Sequence, residues 1–123
     1  MIIFHVEVPI FLMGVVVCCD CPPQEAVDAI YDYHGHRITL EPRDCPGWVQ
    51  HAGGDIYMYV KDADRGSIVL HELTHVAFSI CEIRGMKPDE ELICYLVGWL
   101  KLEVMDRLYD LRVNHADEAE GTE

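Results

Sequence analysis

His71, Glu72 and His75 stand in the order His-Glu-Leu-Thr-His, an HExxH pattern. On an α-helix, residues four apart lie one turn above each other on nearly the same face, so two imidazoles at this spacing can meet one metal ion. Zinc suits such donors, and a catalytic zinc site uses three protein ligands while the fourth tetrahedral position is left to water. The glutamate that follows the first histidine is not a ligand in this pattern. Its carboxylate sits beside the water held by the metal and takes a proton as that water attacks. The chemistry expected is therefore hydrolysis, with His71 and His75 as two ligands of one zinc ion and Glu72 as general base. A plain solvated helix face is the competing explanation. It fits poorly, because Val69, Leu70, Leu73, Val76, Ala77 and Phe78 surround the three polar residues, and a buried charge needs a partner.

Such a motif works only if a helix carries it and other elements hold that helix in place. Gly66-Ser67 opens a helical stretch from Ile68 to Arg84, with Ser67 able to cap it and Gly85 just past its end. The stretch is apolar nearly all round, which predicts a buried central helix. Pro88 fits the first turn of a second helix, from about Asp89 to Leu111, with acids at its start and Lys101, Arg107 and Arg112 later, as the helix dipole favours. Upstream, residues 2–8 and 13–19 are apolar or β-branched runs of strand length. Gln24 to Tyr33, after Pro22-Pro23, has helical spacing of Ala26, Val27, Ile30 and Tyr31, and His34-Gly35 offers a stop. Arg37 to Glu41 reads as a strand closed by Pro42. Trp48 to Ala52 and Asp55 to Lys61 flank Gly53-Gly54, a pair suited to a tight hairpin. The expected class is α+β: a small twisted sheet with one helix, then the HExxH helix and a following helix packed against it. One domain over 1–114 and an acidic, disordered tail over 115–123 are expected.

His-Glu-Leu-Thr-His, followed on the next helix by Asp-Glu-Glu-Leu-Ile-Cys-Tyr (89–95), resembles the zincin superfamily of metallopeptidases, in particular its gluzincin branch. It is similar to small metallopeptidase-like proteins encoded by bacteriophages. The likeness covers about 57–102, and its specific part is the two helical motifs. It implies a minimal zincin-like fold and a third zinc ligand from a glutamate on the second helix. Glu91, three residues before the small Cys94, matches that position best. Glu90 is the rival, while Glu91 shares a helix face with Cys94 and Gly98. Larger gluzincins often place an Asp four residues after the glutamate ligand to orient an imidazole, whereas this chain has Tyr95 there. The resemblance also implies an extended substrate added to a sheet edge before the active-site helix, where Asp55 to Lys61 stands.

Charge narrows the partners. The 123 residues carry 9 Lys+Arg against 22 Asp+Glu, a formal net charge of −13, which repels phosphate backbones and anionic membranes. A peptide or protein substrate is expected; nucleic acid and membrane are not. The start has no basic residues and its apolar stretch is short, so no export signal is read and a cytoplasmic setting follows, the host cytoplasm if the chain is phage-encoded. There the six cysteines are expected as free thiols. Cys18-Cys19-Asp20-Cys21 lacks a matching second half for a structural zinc site. His34 and His36 read as turn chemistry. His51, Tyr57, Tyr59, Tyr95 and Tyr109 are all chemically able to serve a developing oxyanion.

Two functions stay open on these residues: a zinc-dependent peptidase, and a zinc-stabilised binding or assembly protein with little turnover. A third reading makes His71, Glu72 and His75 a metal-free hydrogen-bonded network.

Overall fold

The order of elements follows from where apolar residues repeat every second or every third to fourth position. The computed structural model describes residues 1–34 and 39–121. Strand β1 (Ile2–Val8) alternates buried and more exposed residues, whereas all seven residues of β2 (Met13–Cys19) are buried. Apolar on both faces, β2 belongs inside a sheet. After helix α1 (Pro23–His34) come β3 (Gly47–Ala52) and β4 (Asp55–Val60), then α2 (Gly66–Ile83) and α3 (Glu90–Gly121). The sheet runs β1-β2-β4-β3, with β2 and β4 parallel and the two outer pairs antiparallel. Gly53 and Gly54 join β3 to β4 at φ of 62° and 86°, the left-handed pair that a two-residue hairpin needs.

Because strand side chains alternate between faces, this register sorts the core into two layers. Ile56, Met58 and Val60 of β4 face α2 and α3, together with Val15 and Val17 of β2. Tyr57 and Tyr59 face α1, whose Ala26, Val27 and Ile30 pack against them and Trp48. The fold is therefore α+β, with α1 on one side of a four-stranded mixed sheet and α2 and α3 on the other. Arg112 fastens α3 to the segment before α2 through Asp64 Oδ1 (2.7 Å) and to the end of β2 through Asp20 Oδ2 (3.3 Å). Arg107 lies over the Phe4 ring and donates to the His5 carbonyl of β1.

Several expectations change. Residues 39–41 of the strand read at Arg37 to Glu41 have no regular structure, and Arg37 and Ile38 lie outside the described residues. The Leu40 N–H is instead taken by the Tyr31 hydroxyl, and Glu41 is held by Gln50, so side chains replace a strand partner. Ser67 does not cap α2; Arg65 is the N-cap residue and provides no side-chain bond. At the other end Gly85 adopts φ 65° and the Met86 N–H reaches back to the Cys81 carbonyl, closing the helix as a C-terminal glycine does. Asp89 caps α3, accepting from the Leu92 N–H at 2.8 Å. Helix α3 is traced to Gly121; the side chains of 115–121 and all of 122–123, most of the expected tail, lie outside the described residues, as do Gly35 and His36. All six cysteines are free, with Cys18 and Cys21 sulfurs 3.8 Å apart. Among the described residues no helix is long and apolar enough to cross a membrane.

Leu12, in the turn between β1 and β2, sits at φ 50° with 82% of its surface exposed. Arg84 holds the turn there, donating to the Phe11 and Leu12 carbonyls at 2.7 and 2.8 Å. A leucine in the left-handed region costs roughly 1–2 kcal/mol, part of which glycine returns as chain entropy. Leu12→Gly is therefore expected to stabilise the protein by about 0.5–1 kcal/mol, read as a higher urea midpoint at unchanged slope. A lower midpoint would show that the exposed leucine contributes packing.

Candidate metal centre

Helix α2 is not apolar all round. Its inner face carries Val69, Glu72, Leu73, Val76, Ala77, Ile80 and Cys81, all buried, while Leu70, His71, His75, Phe78 and Glu82 form an outer stripe open to solvent. Its inner face packs on α3, β4 and β3, which leaves the outer stripe exposed. The HExxH motif thus divides between two environments: both imidazoles are on the exposed stripe and Glu72 is turned under the sheet, 5% exposed.

His71 and His75 point their Nε2 atoms at each other across one helical turn, 3.2 Å apart. Two nitrogens about 2.05 Å from one tetrahedral zinc stand about 3.3 Å apart, so the pair is already at chelating separation. Without a metal the same contact is a hydrogen bond in which one ring donates. Glu72 Oε1 is 3.9 Å from His71 Nε2, and Oε2 is buried with no hydrogen-bond partner among the described residues. Burial raises the Glu72 carboxyl above the usual range, against an opposing pull from His75 and His71. An orphaned carboxylate oxygen beside two converging imidazoles is a donor set that zinc fits as two nitrogen ligands with a neighbouring base.

The third ligand is not brought to them. Glu91 and Glu90 are both exposed, and among the described residues no three His, Cys, Asp or Glu side chains gather closely enough to hold a metal ion. The packed stripe of α3 is Ile93, Leu96, Leu100, Val104 and Leu108. Glu91, Cys94 and Gly98, spaced three and four apart, do share a face, and that face, which also carries Tyr95, Leu102 and Tyr109, is exposed. Small residues permit close helix approach; they do not compel it.

The edge beside the site also differs from expectation. Strand β4 is paired on both sides, so it cannot accept an added strand; the edge strand on this side of the sheet is β3. On β3, Gly47, Val49 and His51 pair with Val60, Met58 and Ile56 and share their face toward α2. His51 Nε2 lies 3.9 Å from Glu82 Oε2 on the outer stripe, which makes it the one candidate oxyanion donor shown on this side. Tyr57 and Tyr59 face α1, where the Tyr59 hydroxyl donates to the Cys21 carbonyl at 2.6 Å. Tyr95 lines a groove with the β1–β2 turn, and Tyr109 is exposed on α3. The sequence does not single out Gly47, yet the place a side chain would take there is filled by the stem of Glu72. A glycine opening a strand just after a proline was its only signal.

Compared with protein-family models, curated proteins and solved structures, the chain matches none.

Proposed function

We propose that this chain is a zinc-dependent hydrolase, acting on peptide bonds from a minimal zincin-like domain. The observation that supports it is the 3.2 Å approach of His71 Nε2 and His75 Nε2 next to the sheltered carboxylate of Glu72. When bound, zinc supplies the Lewis acidity that polarises the scissile carbonyl. His71 and His75 hold it. Glu72 Oε1, the oxygen nearer the pair, takes a proton from the attacking water and passes it to the leaving amine. An extended peptide pairs with edge strand β3, its side chains meeting Leu70 and Phe78 on the outer stripe. The acidic surface favours basic or neutral substrates. The test is cleavage of an unfolded, dye-labelled protein by zinc-loaded wild type beside Glu72→Gln. Turnover in the wild type alone supports the reading; equal turnover, or none in either, refutes it.

One observation favours a second reading. Since no third ligand is gathered among the described residues, a zinc held by His71 and His75 has coordination positions left for a binding partner. The chain is then a zinc-stabilised binding or assembly protein. Under that reading Glu72→Gln leaves zinc-dependent association unchanged.

A further inference from the structure

We propose that Gly47 is the residue that positions Glu72, by leaving the space that its side chain occupies. This rests on the hydrolase reading for its meaning, though not for its geometry. A Cβ built on Gly47 would stand 2.9 Å from Glu72 Cγ, closer than real Cβ atoms come, and a tight 3.2 Å from Glu72 Cδ. It would also stand 2.9 Å from the Tyr59 carbonyl oxygen of β4.

Conformation does not explain the glycine. Gly53, Gly54 and Gly85 have positive φ, whereas Gly47 does not, and it pairs with Val60 in a regular antiparallel register. Glycine in a strand lacks a side chain to pack and costs chain entropy, so its presence points to something that comes close. What comes close is the stem of the one charged residue buried in the described core. The surroundings fix Gly47 from both sides: its carbonyl accepts from Cys45 Sγ at 3.0 Å, and the preceding Pro46 carbonyl accepts from the Lys61 N–H at 2.9 Å. Strand β3 therefore cannot retreat freely from a new methyl group, and its contacts with the Glu72 stem are relieved only if Glu72 moves. Since Glu72 Oε1 is 3.9 Å from His71 Nε2, a shift of even about 1 Å takes the base out of reach of water at the histidines. Gly47 acts through Glu72 and touches neither metal nor substrate.

The experiment is a double-mutant cycle of Gly47→Ala and Glu72→Ala read by urea denaturation, with zinc content and hydrolysis measured on the single Gly47→Ala protein. Gly47→Ala is expected to lower the folding equilibrium constant at least tenfold in the wild-type background and much less where Glu72 is alanine. Hydrolysis is expected to lose kcat at least tenfold with KM and zinc content unchanged. If Gly47→Ala alone does not fold while the double variant does, the coupling is shown in its extreme form. Equal losses in both backgrounds, or failure of the double variant to fold, would assign the conflict to the Tyr59 carbonyl and overturn the proposal. Coupling in a protein that hydrolyses nothing would keep Gly47 as the positioning residue and remove the hydrolase reading.

Discussion

Purified protein is expected to carry about one zinc ion per chain, and His75→Ala none. Elemental mass spectrometry on both proteins reads this directly. The expectation rests on separation and exposure together: the two Nε2 atoms are 3.2 Å apart, and both rings lie on an open stripe where a metal can enter without unfolding the helix. Because His71 and His75 are exposed, their removal costs the metal-free fold little, about 0.5 kcal/mol or less. The effect of zinc on stability therefore separates the site from the scaffold. At a hundredfold excess over its dissociation constant, a ligand of the native state adds about 2.7 kcal/mol, which moves the melting temperature of a chain this size by roughly 10 °C. Wild type should show that shift, and His75→Ala should melt at one temperature with or without zinc. A metal-free wild type that ignores added zinc would leave His71 and His75 as a hydrogen-bonded pair and end the metal reading.

What the sequence made legible was local. The apolar run at 13–19, the Gly53-Gly54 turn and the four-residue histidine spacing each depend on neighbours within one element, and each stands where pattern alone put it. What failed depended on which elements become neighbours. Leu70 and Phe78 are large and apolar, which predicts a buried outer face for α2, yet both are exposed. The resemblance implies an edge at Asp55 to Lys61, whereas the parallel pairing of β2 with β4 makes it an ordinary inner strand and puts β3 at the edge. Glu91 is exposed and is not gathered with His71 and His75 among the described residues: a shared helix face says which residues lie together, and it does not say where the helix is aimed. Gly47 was invisible because its meaning lies in a contact with a residue 25 positions away in the chain.

Glu72→Gln is expected to reduce hydrolysis by roughly 10²–10⁴-fold while zinc content stays at the wild-type level. Glutamine keeps the shape beneath β3 but cannot take a proton, so the loss reports base function rather than packing. The same position makes a second, opposite prediction for stability. Glu72 is buried with one oxygen unpartnered, and an unsatisfied buried polar group costs about 1–3 kcal/mol. Glu72→Met, similar in length and apolar, should therefore stabilise the metal-free protein by about that amount. The pH dependence fixes the sign. Burial raises the folded-state carboxyl, so the native state holds its proton where the unfolded chain has lost it. Stability from this group is complete below the ordinary carboxylate range and falls as pH rises through the raised folded value. In Glu72→Met that decline disappears, and its gain over wild type grows with pH across the same window. Urea midpoints of the metal-free proteins from acid to neutral pH measure it. A residue whose removal abolishes turnover and strengthens the fold is kept for chemistry; if Glu72→Met were instead less stable at every pH, Glu72 would be a structural element of the core, and the case for a general base would fall with it.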